Sequence, residues 1–290
     1  MTLWRHVRRI VVLSAMSFWS DRALSVSYRV RTCKEFFNIP TPMQDDTHVI
    51  VLDNITCKSP RAVIVSGSYA FLVSSDLASL TLENLRFSIK DGADFFLNVS
   101  SDEYPGTVAF LGTAPQRSHG GTFKIDAGAS VTFGVPVTFS GSSVVAGKRG
   151  GAIYNNGYLT FEHSVKFSKC NVQSDAGSQK AASPATGSHG IVTDSENHSS
   201  TAWLQGEPAL EGVFRGCGGA LYNGESAQAS FRDVAWFNDN VAGVGSAGGA
   251  VCNEGVASFS SRTYFTGNTA TEHLLYGRGE RGHFTPAPGR

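Results

Sequence analysis

Asp45-Asp46, Ser-His-Gly at 118–120 and 188–190, and Val-Thr-Asp at 192–194 carry residue types suited to acid–base chemistry. Clustered carboxylates could cleave a glycosidic bond: one acid protonates the leaving oxygen while another activates water. The spacing does not assemble them. Asp45-Asp46 precede the repeated part of the chain, and Asp194 lies in a long polar stretch. Asp239 stands where the corresponding residues are Gly267, Lys169 and Gly141, so no carboxylate recurs at one phase. His163, His189 and His198 lack ligand spacing. The "GVGSAGG" run at 243–249 lacks the helix, Lys-Ser/Thr pair and downstream acid of a phosphate loop. The cysteines form no CxxC, so zinc is not expected. No catalytic residue, metal ligand or cofactor is therefore expected, and these polar groups read as chance residues on an outer face.

The recurring residues are of another kind. "GGAIYN" at 150–155, "GGALYN" at 218–223 and "GGAVCN" at 248–253 share Gly150-Gly151, Gly218-Gly219 and Gly248-Gly249, and end in Asn155, Asn223 and Asn253. Behind them come the alternating stretches "LTFEHSVKF" at 159–167, "ASFRDVAWF" at 229–237 and "ASFSSRTYF" at 257–265, and behind "GGTFKI" at 120–125, which has the glycine pair without the asparagine, comes "VTFGVPVTF" at 131–139. Phenylalanines stand six apart in all four: Phe133/Phe139, Phe161/Phe167, Phe231/Phe237 and Phe259/Phe265. Period-two alternation predicts two short strands joined by a three-residue turn, apolar side chains inward. Strands this short are stable only when stacked on equivalent neighbours.

The second phenylalanines are spaced 28, 70 and 28 residues apart. The long step holds one repeat and 42 further residues, a Ser-, Ala- and Gly-rich stretch read as a surface loop over 172–216. "LTLENLRF" at 80–87 reads as a degenerate copy, and "TVAFLG" at 107–112 as part of another coil. Seven coils fit between about residues 47 and 270; at ~4.8 Å per strand they form a rod on the order of 30 Å long. A propeller would need four strands per ~40–50 residues and recurrent hairpin turns. The pattern instead predicts an all-β parallel β-helix, a single domain with a long inserted loop. Its asparagines are expected to form an inward or corner ladder, interrupted by that loop. Outward Trp236 and Tyr264 share one coil position and form a possible binding patch for a sugar face or a partner.

Composition sets the compartment. Arg5, Arg8 and Arg9, a ten-residue apolar run and Ala23-Leu24-Ser25 read as a secretory signal over 1–25. Ten apolar residues are too few to cross a bilayer, and no later segment is long enough. A formal net charge of zero argues against a nucleic-acid partner. In an oxidising compartment, Cys33 and Cys57 are the favoured disulfide, contributing ~3 kcal/mol. Cys217 is left to pair with Cys170, closing the base of the loop, or with Cys252, linking neighbouring coils. Asn54, Asn98 and Asn197 head possible glycosylation sequons. The expected organisation is a signal at 1–25, an N-terminal cap at 26–60, the β-helix at 61–270 and a disordered or truncated tail at 271–290.

The paired motifs GGA[ILV] and FxxN resemble the repeat of the polymorphic outer-membrane proteins of chlamydiae, which also recurs in other lineages. "FNDN" at 237–240 and "FTGN" at 265–268 match through Asn240 and Asn268; "FSKC" and "FSGS" end instead in Cys170 and Ser142. The resemblance covers about 120–270. It implies a right-handed β-helix with the pectin-lyase-like fold, and a secreted or surface protein, adhesin-like and non-enzymatic, whose partner is an unknown protein or glycan. Chlamydial members also carry a C-terminal membrane barrel, absent up to Arg290, so a passenger fragment of a longer autotransporter is one alternative. A degenerate polysaccharide-active enzyme is the other.

Overall fold

A computed structural model describes residues 26–42, 47–73, 79–99, 107–112, 114–174, 190–192, 216–243 and 246–270. The expectations for the signal, the tail, Asn197, Asp45-Asp46, His189, His198 and most of 172–216 lie outside these residues.

The described chain is all-β apart from one short helix, and its strands lie in stacked, mostly parallel sheets compatible with a parallel β-solenoid. Three sheets are visited in turn. The first contains Thr47–Val51, Tyr69–Val73, Asp94–Val99, Ser130–Phe133, Tyr158–Phe161, Gln228–Phe231 and Val256–Phe259, with Val26–Val30 at its edge. The second runs from Ile55–Lys58 through Ser79–Glu83, Thr107–Leu111, Val137–Ser140, Val165–Ser168 and Ala235–Asn238 to Thr263–Thr266. The third holds Ala62–Val65, Arg86–Ile89, Phe123–Ile125, Ile153–Asn155, Leu221–Asn223 and Val251–Asn253. Each circuit of the chain adds one strand to each sheet. Short pairs such as Asn171–Val172 beside Val241–Ala242 bridge the corner between the second and third.

Alternation places the phenylalanines in columns. Phe133, Phe161, Phe231 and Phe259 stack at 5.0, 5.0 and 4.6 Å between centroids. Phe110, Phe139, Phe167, Phe237 and Phe265 do so at 5.0, 4.9, 5.0 and 4.9 Å. The two columns meet edge-on, as at Phe161 and Phe167, inclined at 87°. In-register parallel pairing forces identical residues to be neighbours, and parallel-displaced rings gain contact beyond their burial.

"LTLENLRF" is placed differently from its reading as a first-and-second-strand copy. Leu80 and Leu82 lie in the second sheet, but Phe87 lies in the third, paired with Phe123. Asn84, at φ 60°, turns the chain directly between them, where later circuits insert the extra corner strand.

The two glycines of each motif answer different needs. The first, Gly150, Gly218 or Gly248, has φ of 68°, 73° or 64°, the left-handed region that favours glycine. The second has no room: a Cβ on Gly151 would lie 1.9 Å from the Gly219 carbonyl oxygen of the next circuit, and one on Gly219 2.0 Å from that of Gly249.

The asparagines point inward. Asn155 and Asn223 are fully buried at positions that Val65, Ile89 and Ile125 fill in earlier circuits. Asn155 Nδ2 donates to Asn223 Oδ1 at 2.7 Å, and Asn223 Nδ2 to Asn253 Oδ1 at 2.7 Å. Contrary to expectation, the inserted segment does not interrupt this ladder, because Ile153–Asn155 pairs directly with Leu221–Asn223. A second column follows the FxxN motif. Cys170 N donates to Asn240 Oδ1 at 3.0 Å, and Asn240 Nδ2 to Asn268 Oδ1 at 2.8 Å. Ser142 is also buried and bonds Thr122 at 2.7 Å. Small polar residues thus occupy this corner in the circuits that depart from FxxN.

Helix α1 (Cys33–Phe37) is closed at its N-terminus by a Thr32/Glu35 capping box. Cys33 and Cys57 are bridged, and Phe36 and Ile39 enter the core. Cys217 pairs with Cys252, linking neighbouring circuits, while Cys170 is free, buried and held protonated, its pKa pushed up to about 12 by burial. The insertion is not wholly without structure: Gly190–Val192 pairs antiparallel with Thr263–Phe265 at the end of the second sheet. Among the described residues no helix is long and apolar enough to cross a membrane.

Candidate functional site

Alternation turns one residue of each third-sheet strand outward. In successive circuits these are Ile64, Ser88, Lys124, Tyr154, Tyr222 and Cys252, in register; Ser88 and Tyr222 are covered by their neighbours and buried. Tyr154, Tyr222 and Cys252 are the variable fifth residue of the glycine motif. The strands are preceded by His119, Arg149 and Cys217, and followed by Lys90, Asp126 and Glu254. Stacking therefore gathers on one face groups far apart in sequence.

The rings of Tyr154 and Tyr222 stack at 5.0 Å, and His119 lies 4.7 Å from Tyr154. The Arg149 guanidinium sits 4.8 Å over the Tyr222 ring, and its Nη1 donates to the Tyr222 hydroxyl at 2.6 Å. That hydroxyl donates to Glu254 Oε2, which also faces Arg149 at 3.5 Å. Burial, then the hydrogen bond to Glu254, raise the Tyr222 pKa and keep the phenol protonated. Lys124 and Lys90 both reach Asp126, at 2.7 and 3.3 Å. Burial of Asp126 raises its pKa, but these two ammonium groups outweigh it and hold the carboxyl below its ordinary value.

His119 accepts from the Arg149 backbone N–H at Nδ1, 3.0 Å away. Burial first, then the charges of Lys148, Arg149, Lys124 and Arg86, lower its pKa from 6.5 to about 4. A histidine whose folded pKa is depressed contributes in full above pH 6.5. Its contribution is lost as the pH falls toward 4, because the unfolded chain takes up a proton that the folded chain refuses. The melting temperature is expected to fall between pH 7 and 4.5, and to fall less in His119→Gln. Equal falls in thermal melts of the two proteins would contradict this.

This arrangement suits binding better than bond cleavage. Asp126 is kept ionised by two lysines, which makes it a poor proton donor. Tyr222 is a poor base because it keeps its proton. Cys217, Cys252 and Glu254 offer ligand-type atoms within 4.8 Å of one another, but the two sulfurs are bonded together and present no thiolate.

Sequence reasoning missed this face. Ser-His-Gly at 118–120 recurs at no repeat phase, yet His119 lies at its centre; the signal in the sequence is Tyr154 and Tyr222 at one motif position. Trp236 and Tyr264 are stacked at 6.1 Å on the second sheet, each half-buried, with the Gly190–Val192 strand paired alongside Tyr264. They lie on a different sheet from His119 and are not brought to it. Asn54 and Asn98 are exposed, as is His163, while Asp233 is half-buried. Asp239, at φ 53°, shares a left-handed corner with Lys169, Gly141 and Gly267, which accounts for glycine at that phase. No protein-family model, curated protein or solved structure matches the chain.

Proposed function

We propose that the chain is a secreted, right-handed parallel β-helix of the GGA[ILV]/FxxN type, similar to the repeats of the chlamydial polymorphic outer-membrane proteins. It acts as a non-enzymatic, adhesin-like scaffold that displays its outer faces to a surface protein or glycan. One observation carries this reading: the repeated motif residues are consumed in turns, close backbone approaches and buried ladders, so the repeat builds the stack and presents no repeated chemical group. A stack built this way leaves function to the residues its outer faces display.

The test is purified protein offered to intact cells and to a panel of polysaccharides. Saturable binding without cleavage supports the reading. Turnover of a polysaccharide by trace protein, abolished in Glu254→Gln or Arg149→Ala, would overturn it in favour of a carbohydrate-active enzyme. The Arg149–Tyr222–Glu254 contacts are the observation that keeps this second reading in play.

A further inference from the structure

We infer that the outward face of the third sheet binds a sulfated polysaccharide; this rests on the scaffold reading and names the ligand class of its site. The face is cationic although the chain is neutral. Arg86 and Lys90 come from one circuit, Lys124 from the next, and Lys148 and Arg149 from the one after. Two strand spacings, about 10 Å, separate the first of these circuits from the last. Over that length the described carboxylates beside these cations are Asp126, already shared by Lys90 and Lys124, and the exposed Asp91 next to Lys90, so the cations outnumber them. Glu254 lies two circuits further on and is taken up by Tyr222 and Arg149.

Two observations mark the face as incomplete. Arg86 Nε is buried and has no hydrogen-bond partner, although its Nη2 donates to the His119 carbonyl at 3.3 Å. Burial lowers the Arg86 pKa, as it does for a cation without full compensation. Lys148 makes no ion pair among the described residues. An oxyanion on the face would pair Lys148, while the buried Arg86 Nε lies out of its direct reach and leaves that guanidinium charge only partly compensated.

The ligand's charge density follows from the geometry. Four of these cations, Arg86, Lys124, Lys148 and Arg149, lie near enough to His119 to lower its pKa; so clustered a charge favours a ligand with more than one anionic group per sugar unit, which sulfated chains supply and singly carboxylated chains do not. A neutral sugar finds little here. Tyr154 and Tyr222 stack on each other, so the column offers ring edges rather than an open face. Single-stranded nucleic acid is disfavoured for the same reason, since its bases need an aromatic face on which to stack.

The experiment measures binding of the folded chain to heparin, dextran sulfate, polygalacturonate, uncharged dextran and single-stranded DNA over a salt series. Heparin and dextran sulfate are expected to bind, more weakly as salt rises. Lys124→Ser with Lys148→Ser should weaken that binding roughly tenfold or more and flatten its salt dependence. Should the double variant misfold, Lys148→Ser alone serves, because no described ion pair depends on it. Unchanged heparin binding in a folded variant overturns the site. DNA or polygalacturonate binding as tightly as heparin overturns the ligand class. Cell binding that persists without affinity for any polyanion overturns this inference and leaves the scaffold reading standing. Cleavage of a polysaccharide removes the scaffold reading itself.

Discussion

Gly151→Ala should lower stability by about 3 kcal/mol, the upper end of what over-packing costs, whereas Gly92→Ala should cost about 1–2 kcal/mol. Gly92 has φ 70° with nothing within 4 Å of its missing Cβ, so a methyl there meets only left-handed strain. At Gly151 the Cβ would lie 1.9 Å from the Gly219 oxygen and 2.7 Å from the Asn171 nitrogen. Both obstacles are backbone in neighbouring segments, so no rotamer change relieves them. Two circuits would have to separate, weakening bonds such as Gly151 N–H to the Gly218 carbonyl, now 3.1 Å. Urea unfolding of the two variants measures the contrast. Equal losses would mean that the second motif glycine serves conformation and not close approach.

Phe167→Ala should cost about 3–5 kcal/mol, the range for emptying an aromatic site in a core. The ring is fully buried, stacked at 4.9 Å on Phe139 and at 5.0 Å on Phe237, and set edge-on to Phe161 at 5.9 Å. The cavity would open in the middle of a column whose backbone is fixed on both sides by parallel pairing, leaving little room for collapse. Phe265→Ala should cost less. That ring ends the described column and is half-buried, with Phe237 stacked on one side only. Leu82 already occupies this column in an earlier circuit, so Phe167→Leu should be milder than Phe167→Ala. Denaturant midpoints for the three variants give the order directly, and a Phe265→Ala loss equal to that of Phe167→Ala would contradict it.

The legible parts of the sequence were those in which one residue repeats because stacking makes it its own neighbour. Phe161 and Phe231 announce each other by type and phase, and so do Asn155 and Asn223. Where the requirement is only for a small polar or apolar group, identity drifts and the signal fades. Ser142 and Cys170 stand in for the FxxN asparagine, and Ile125 for the asparagine of the glycine motif. The disulfide partner of Cys217 stayed open because the choice depends on which side of the circuit Cys170 faces; it is buried at the second corner. The cationic face was hidden more deeply. Arg149 and Glu254 are 105 residues apart and share no motif phase, and only the completed stack brings them together. The antiparallel strand at Gly190–Val192 was illegible for want of alternation in a polar stretch.

Removal of one whole repeat tests the stacked-circuit account most directly. Ser230 and Ser258, bonded side by side in adjacent circuits, are 28 residues apart. Deleting residues 134–161 removes that length, joins Phe133 to Glu162 and restores the six-residue spacing to Phe167. Deleting half as many, residues 134–147, leaves every later strand on the wrong sheet. Thermal unfolding followed by circular dichroism should give a cooperative β-sheet transition for the first deletion and none for the second. Two equally unfolded proteins, or two equally folded ones, would contradict the account.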